Sequence, residues 1–271
     1  MKHIYIILLV SLCLVNKVYA VNETEVRQTA NYRVIPLPQE IIPIQDSPFL
    51  LEAGVTILYP SNNKKMQKNA QFLANYLQVA TGKKFPIATQ SNKGSVISLS
   101  LDKKHNNPEA YQIIISANGV KITASTEAGI FYGIQFLRKS LPVNANTNII
   151  LPAVEVKDYP RFSYRGALLD VGRYFFTVDE VKTFIDMMAL HNMNRFHWHL
   201  TEDQGWRIEI KKYPKLTQIG SIRKETVIGR NSDIYDHRPH GGFYTQKELK
   251  EIVRYAADRH ITIIPEVDFP G

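Results

Sequence analysis

The stretch Arg195-Phe-His-Trp-His-Leu-Thr-Glu-Asp-Gln-Gly-Trp-Arg207 decides the predicted fold. In its first half apolar residues alternate with histidines, which places Phe196, Trp198 and Leu200 on one side of an extended chain. This period of two indicates a β-strand with different surroundings on its two faces. The alternation stops at Thr201, and acids, an amide, a glycine and an arginine follow. A buried strand with ionisable groups at its carboxyl end is typical of the active site of an α/β barrel.

The flanking sequence repeats the same order of elements. Strand, helix, strand, helix and strand are predicted at 166–171, 177–191, 195–200, 245–259 and 261–264. Each helix begins with a capping box, which Thr177 and Thr245 open. Short apolar strands that alternate with amphipathic helices predict a parallel sheet buried on both faces.

The predicted fold class is therefore α/β, with two parts. Residues 21–157 are expected to form a small α/β domain, in which helices at 64–81 and 127–141 pack against a largely antiparallel sheet. Residues 158–271 supply the first two and a half units of a (β/α)8 TIM barrel, a fold that has eight units and about 250 residues. We interpret the chain as a truncated barrel, the front part of a longer enzyme.

Residues 1–20 have the pattern of a secretory signal peptide. Lys2 and His3 give a positive start, an apolar run covers 4–15, and Val18-Tyr19-Ala20 offers small residues for cleavage. A membrane anchor is the alternative, but about twelve apolar residues fall short of the roughly 20 that a membrane span needs. We therefore expect export to a periplasm or to the outside of the cell. The only cysteine, Cys13, lies in this segment, so the mature chain would hold no disulfide.

The charge of the chain argues against a nucleic-acid partner. Lysines and arginines number 33 and aspartates and glutamates 25, which gives a net charge of +8. These charges are scattered, and the sequence contains no basic stripe with interleaved aromatic residues. We expect a soluble protein surface and no stable membrane span.

The predicted rim of the barrel carries groups that suit a sugar. Glu202 and Asp203 offer carboxylates, and Arg173 offers a planar fork of donors that can hold vicinal hydroxyls through paired hydrogen bonds. Tyr174 and Trp206 add aromatic surface nearby. Carboxyl groups do the proton transfer in glycoside hydrolysis, so a glycosidase site is one reading. A solvated cluster of ion pairs on a loop is the other.

His197 and His199 stand two apart on the strand, so both can face the same way. A His-x-His strand can hold a catalytic metal in a barrel hydrolase. The same pair can equally be histidines of the barrel interior that bond to neighbouring acids. No further ligand cluster is evident in the sequence, which favours the second reading.

Four longer motifs resemble one family. They are Arg165-Gly-Ala-Leu-Leu-Asp-Val-Gly-Arg-Tyr-Phe-Phe176, Asp203-Gln-Gly-Trp-Arg-Ile-Glu-Ile-Lys-Lys-Tyr-Pro214, Gly241-Gly-Phe-Tyr-Thr245 and Ile264-Pro-Glu-Val-Asp-Phe-Pro-Gly271. Together they resemble the β-N-acetylhexosaminidases of glycoside hydrolase family 20. Gly129-Ile-Phe-Tyr-Gly-Ile-Gln135 is similar to the small domain that precedes the barrel in that family.

The resemblance implies a retaining exo-enzyme that removes terminal β-linked N-acetylglucosamine or N-acetylgalactosamine from glycans. The acetamido oxygen of the substrate acts as nucleophile, an exception to the usual scheme of two carboxylates. No metal or cofactor is implied. Arg173 matches the arginine that holds sugar hydroxyls. Glu202, with Asp203 beside it, matches a supporting acid that acts on the catalytic glutamate through a histidine.

Some features of the family pattern are changed or missing. Tyr174 stands where the family often has histidine, and Glu202 is one methylene longer than the usual aspartate. The histidine would follow Gly271, and the catalytic Asp-Glu pair lies further downstream in the family. We therefore expect no turnover by these 271 residues alone. A metal-dependent hydrolase using His197 and His199, or a non-catalytic sugar-binding protein, are the alternative functions.

Overall fold

The computed structural model describes residues 27–91, 94–102, 106–143, 145–229 and 232–269. The signal peptide predicted over 1–20 lies outside these residues and stays a prediction. Within the described ranges, each helix is too short or too polar to cross a membrane.

The first part of the chain is a mixed α/β unit. Its elements are β1 (Gln28–Thr29), β2 (Glu40–Pro43), β3 (Phe49–Leu51), β4 (Thr56–Leu58), α1 (Lys64–Thr81), β5 (Ile87–Ala88), β6 (Val96–Leu101), β7 (Tyr111–Ser116), β8 (Gly119–Ala124), α2 (Glu127–Ser140), β9 (Ile149–Leu151) and β10 (Val154–Asp158). Seven strands form one sheet in the order β2-β10-β7-β8-β6-β4-β5, and β1, β9 and β3 form a second. Phe131 and Tyr132 on α2 are buried in the core.

The prediction of a largely antiparallel sheet is wrong. Strands β2, β10, β7 and β8 pair antiparallel, but β8, β6, β4 and β5 pair parallel. Helix α1 connects β4 to the next strands, and a helical crossover of this kind returns the chain in the same direction. Strands β7 and β8 form a hairpin. The sheet is therefore mixed, half hairpin and half crossover.

The second part of the chain begins a parallel barrel. Its elements are β11 (Gly166–Asp170), α3 (Val178–Leu190), β12 (Arg195–Glu202), β13 (Gly205–Trp206), α4 (Lys215–Gln218), β14 (Ile222–Arg223), β15 (His240–Gly241), α5 (Gln246–Ala257) and β16 (Thr262–Val267). Strand β12 lies between β11 and β16 and pairs parallel with both. Both predicted capping boxes are formed, at the starts of α3 and α5.

Only the central barrel strand is buried as predicted. In β12, Phe196, Trp198 and Leu200 are at most 1% exposed, whereas Leu168 in β11 is 52% exposed and Ile264 in β16 is 38% exposed. The two outer strands have no strand partner on their far sides among the described residues. Full burial of a parallel sheet needs neighbours on every side, so the two outer strands stay partly exposed.

A partly buried ionic network joins the two parts. Glu109, in the loop before β7, accepts hydrogen bonds from Nη1 and Nη2 of Arg165 at 2.8 and 3.2 Å. It also accepts from Nδ2 of Asn194 at 2.9 Å and from the hydroxyl of Tyr132 at 3.1 Å. Arg165 and Asn194 immediately precede β11 and β12. The small domain therefore holds the amino ends of the first two barrel strands.

Candidate active site

Three charged residues from different strands meet at the carboxyl ends of the barrel strands. Arg173 follows β11, Glu202 ends β12 and Asp268 follows β16. Nη2 of Arg173 lies 2.9 Å from Oε1 of Glu202. Asp268 is close enough for its charge to act on Arg173. Parallel strands bring their carboxyl ends to one edge, which is the predicted position of an active site.

Arg173 is held between two carboxylates but remains accessible. Its Nη1 donates to Oδ2 of Asp170 at 2.6 Å, and its backbone N–H donates to Oδ1 of the same residue at 3.0 Å. The hydrogen bond that Arg173 donates to Asp170 is the main cause that raises the pKa of Arg173, with the charges of Glu202 and Asp268 adding to it. The side chain is still 54% exposed. The guanidinium is thus fixed in direction and free to meet a ligand.

A glycine permits this close approach. A Cβ atom on Gly172 would lie 3.0 Å from Cβ of Glu202 and 3.1 Å from its backbone nitrogen. Any side chain at this position would therefore push the start of the Arg173 loop away from the end of β12. The glycine in the motif Val171-Gly-Arg173 has a packing reason that the sequence alone did not reveal.

Glu202 belongs to the strand and not to the loop after it. The prediction ended the strand at Leu200, but β12 continues to Glu202 and turns back as a hairpin, in which Glu202 pairs with Gly205. Asp203 is at the exposed tip of this turn. The strand therefore sets the direction of the Glu202 carboxylate, whereas Asp203 has the freedom of a turn.

Both histidines of β12 contact one carboxylate. Oε2 of Glu266 lies 2.7 Å from Nε2 of His197 and 2.6 Å from Nδ1 of His199. The other ring nitrogen of His199 lies 3.3 Å from Oε2 of Glu202, within ion-pair distance but without hydrogen-bond geometry. A continuous line of contacts thus runs from Glu266 through His199 and Glu202 to Arg173.

This line of contacts favours a charged His199. Burial alone lowers the pKa of His199, but the hydrogen bond that its ring donates to Glu266 and the charges of Asp170, Glu266 and Asp268 outweigh burial and raise the pKa above the usual value. The same hydrogen bond lowers the pKa of Glu266. For Asp170, burial raises the pKa, and the stronger combined effect of Arg173 lowers it. The rim therefore alternates negative and positive groups.

The distances support the reading of barrel-interior histidines bonded to acids. Two ligands on one tetrahedral zinc ion are roughly 3.3 Å apart, given metal–ligand bonds of about 2.0–2.1 Å. The contacts of Glu266 with His197 and His199 are 2.7 and 2.6 Å, which is hydrogen-bond distance. Ligand atoms of His199, Glu266 and Asp268 do lie within 4.8 Å of one another, so a metal would require these side chains to separate.

The two aromatic residues have different surroundings. Trp206 is 5% exposed and, with Glu202 and Asp203, lines a cavity of about 660 Å3. Tyr174 stacks on His240 with ring centroids 4.0 Å apart. Nε2 of His240 also accepts a hydrogen bond from the backbone N–H of Phe175. Trp206 therefore lies almost fully buried beside the carboxylates, and Tyr174 is held by the long loop after β13.

Three residues of the site were not among the predicted site residues. Asp170 lies within the strand predicted at 166–171, and Glu266 lies in the last of the four motifs, but neither was assigned a role. Arg207 was noted only as the end of a motif, yet it is completely buried. The feature that could have identified Arg207 is its position directly after Gly205-Trp206, which form a buried hairpin strand.

Comparison with known proteins gives a consistent picture. The model of the glycosyl hydrolase family 20 catalytic domain matches residues 162–271, and that of domain 2 of the same family matches 31–159. A β-hexosaminidase of Porphyromonas gingivalis is 40% identical over 246 residues, which is 88% of this chain and 30% of the relative. The chain thus spans less than half the length of this relative.

The structural neighbours are similar in the same way. The N-acetyl-β-hexosaminidase of Streptomyces plicatus superimposes with a TM-score of 0.75 at 36% identity, covering 88% of this chain and 46% of that one. The family 20 β-N-acetylhexosaminidase of Streptomyces coelicolor gives 0.76 at 34% identity, covering 91% of this chain and 48% of that one. From its two matched domains and its α/β barrel strands, the chain belongs to glycosyl hydrolase family 20.

Proposed function

We propose that the protein is an exo-β-N-acetylhexosaminidase that acts with retention, using the acetamido group of its substrate as nucleophile. The names of its relatives, β-hexosaminidases and β-N-acetylhexosaminidases, support the activity. The observation that carries the proposal is the contact between Nη2 of Arg173 and Oε1 of Glu202, 2.9 Å long, at the ends of two adjacent parallel strands. A pair of charged groups in this position at the barrel rim can bind a polar ligand.

Each rim residue has a role in the proposal. Arg173 presents its exposed guanidinium edge to vicinal hydroxyls of the terminal sugar, because a planar fork of donors matches two neighbouring oxygens. Glu202 is a supporting carboxylate whose two oxygens face Arg173 and His199. These two contacts fix the direction of the carboxylate at the end of β12. Asp203 supplies a second acid at the exposed turn.

We further propose that the 271 residues alone do not hydrolyse glycosides. The chain contains one Asp-Glu dipeptide, Asp179-Glu180. The carboxylate of Glu180 accepts from the backbone and hydroxyl of Thr177 and so caps helix α3. Because its carboxylate already accepts these capping hydrogen bonds, Glu180 is a poor proton donor for a glycosidic oxygen.

Kinetics with an aryl β-N-acetylglucosaminide test these statements. We expect phenol release by the full-length protein and none by residues 21–271. The Arg173→Ala variant should raise KM, whereas Arg161→Ala, a surface arginine stacked on Phe162, should not. NMR of the first product formed should show the β-anomer. Initial formation of the α-anomer would contradict retention, and absence of turnover by the full-length protein would contradict the activity.

A chelator control separates the metal-dependent alternative. If His197 and His199 hold a catalytic metal, prolonged dialysis against a chelator should abolish turnover by the full-length protein, and added zinc should restore it. The proposed mechanism predicts unchanged rates. Binding of N-acetylglucosamine without turnover of any β-linked glycoside would instead support the non-catalytic sugar-binding protein.

We also propose export and glycan substrates. The pattern of residues 1–20 supports a cleaved signal peptide, and a protein outside the cytoplasm meets glycans that end in N-acetylhexosamine. Comparison of aryl N-acetylglucosaminide and N-acetylgalactosaminide rates would define the sugar preference.

A further inference from the structure

Arg207 donates four hydrogen bonds to backbone carbonyls near the carboxyl ends of the barrel strands. Its Nε donates to the carbonyl of Val171 at 2.9 Å and its Nη2 to that of Gly172 at 3.0 Å. Its Nη1 donates to the carbonyls of Ser221 at 2.6 Å and Gly242 at 3.0 Å. One side chain thus joins the loop after β11 to two points of the long segment between β13 and α5.

The charge of Arg207 is buried without a carboxylate partner. The side chain is 0% exposed, and the ion pairs of the described residues do not include it. Burial lowers the pKa of Arg207 to about 10, so the guanidinium stays charged at neutral pH. A buried charge is costly unless hydrogen bonds satisfy it, and here backbone carbonyls do so. Lysine has neither the planar fork nor the reach to replace all four contacts.

The surrounding residues leave space for this guanidinium. A Cβ atom on Gly205 would lie 2.2 Å from Nη2 and 2.3 Å from Cζ of Arg207, so alanine at this position would collide with the buried group. On another side, the ring of Phe175 lies 5.8 Å from Cζ of Arg207, within range of a cation–π contact. The Gly205-Trp206-Arg207 sequence is therefore one packing unit, in which the glycine makes room for the arginine.

The contacts of Arg207 end at the residues that carry Arg173. Val171 and Gly172 immediately precede it, and Nη1 of Arg223 donates to the carbonyl of Arg173 itself at 2.9 Å. The backbone is thus fixed on both sides of Arg173. We propose that Arg207 is a positioning residue that sets the place of the Arg173 guanidinium against Glu202 and so tunes sugar binding; this inference rests on the function proposed above.

Arg259 provides a matched control. It is also a buried arginine, 8% exposed, and bonds to Asp186 and to the carbonyl of Tyr255. It precedes β16 and so lies at the amino end of the strand, away from the rim. Its removal should reduce stability as removal of Arg207 does, but should leave sugar binding unchanged.

The test uses the full-length protein and an aryl β-N-acetylglucosaminide. We expect Arg207→Met to raise KM about tenfold or more. A misplaced Arg173 would lose one charge-assisted hydrogen bond to the sugar, and the loss of one such bond weakens binding by about this factor. Arg173→Ala should raise KM to a similar extent. The double variant should have the same KM as Arg173→Ala alone, because both changes remove the same interaction, that of Arg173 with the sugar. Arg259→Met should lower the Tm while KM stays within about twofold of the wild type.

A crystal structure of the Arg207→Met variant gives a readout that does not depend on activity. We expect the contact of Arg173 with Glu202 to be lost. An unchanged contact, an unchanged KM or fully additive effects with Arg173→Ala would each overturn the inference. If the wild-type protein shows no turnover, the proposed function fails and the crystal structure alone decides the positioning role. If Arg207→Met does not fold, Gly205→Ala displaces the same guanidinium and takes its place in both measurements.

Discussion

Replacement of Glu109 by alanine should loosen the joint between the small domain and the barrel. The carboxylate accepts four hydrogen bonds, two from Arg165 and one each from Asn194 and Tyr132. Side chains of Glu109 and Arg165 are only 17% and 18% exposed. Removal of one partner from a buried ion pair leaves the other charge uncompensated, which costs about 3–5 kcal/mol.

The lower end of that range is expected here. Arg165 keeps two acceptors in the variant, the carbonyls of Asn192 and Phe162, at 2.7 and 2.8 Å. We therefore expect the free energy of unfolding to fall by about 3 kcal/mol. Glu40→Ala is the matched control, because Glu40 forms an exposed ion pair with Lys157 at 3.6 Å. An exposed pair of this kind contributes about 0–1 kcal/mol.

Urea unfolding of the full-length protein measures both effects. Circular dichroism follows the whole molecule, and fluorescence of Trp198 and Trp206 follows the barrel. Because the joint holds the amino ends of β11 and β12, we expect both signals of Glu109→Ala to shift to lower urea concentration. A change no larger than that of Glu40→Ala would refute the assigned role of the network.

The same network predicts the direction of a pH effect. Burial raises the pKa of Glu109, but the hydrogen bonds from Arg165, Asn194 and Tyr132 together lower it below the ordinary value of 4.5. A glutamate with a lowered pKa in the folded state contributes stability above its unfolded pKa and loses it as pH falls through the folded pKa. The difference in stability between wild type and Glu109→Gln should therefore shrink below about pH 4.5. A difference that is constant from neutral pH to pH 3 would contradict this cause.

Three further outcomes are expected. Gly172→Ala should lower kcat/KM of the full-length protein by about tenfold or more, because its Cβ would press against Glu202 at 3.0 Å; an unchanged value would contradict the close approach. The raised pKa of His199 should contribute stability below its unfolded pKa of about 6.5 and lose it as pH rises through the folded pKa. NMR titration should show that Glu266→Gln lowers this pKa. N-terminal sequencing of the exported protein should begin at Val21, and a retained Met1 would exclude cleavage.

Much of the local structure follows from short-range patterns. Period-two alternation located the central strand, and capping boxes located the starts of α3 and α5, because each signal involves residues within one or two turns of the chain. The order of strands and helices then indicated parallel pairing, which brings Arg173, Glu202 and Asp268 to one end of the sheet. The sequence also carried the family resemblance, through motifs that each lie within one element and its loop.

The partners of these residues depended on the tertiary structure. Glu109 bonds to Arg165, which is 56 positions away in the sequence, and Arg207 bonds to Gly172, which is 35 positions away. Nothing in the local pattern identifies which buried charge a distant carbonyl or carboxylate will satisfy, because that choice follows from how strands pack. For the same reason the sheet of the small domain is mixed, although the sequence predicted a largely antiparallel sheet. The sequence by itself determined which chemical groups reach the rim, and only folding decided which buried residues hold them there.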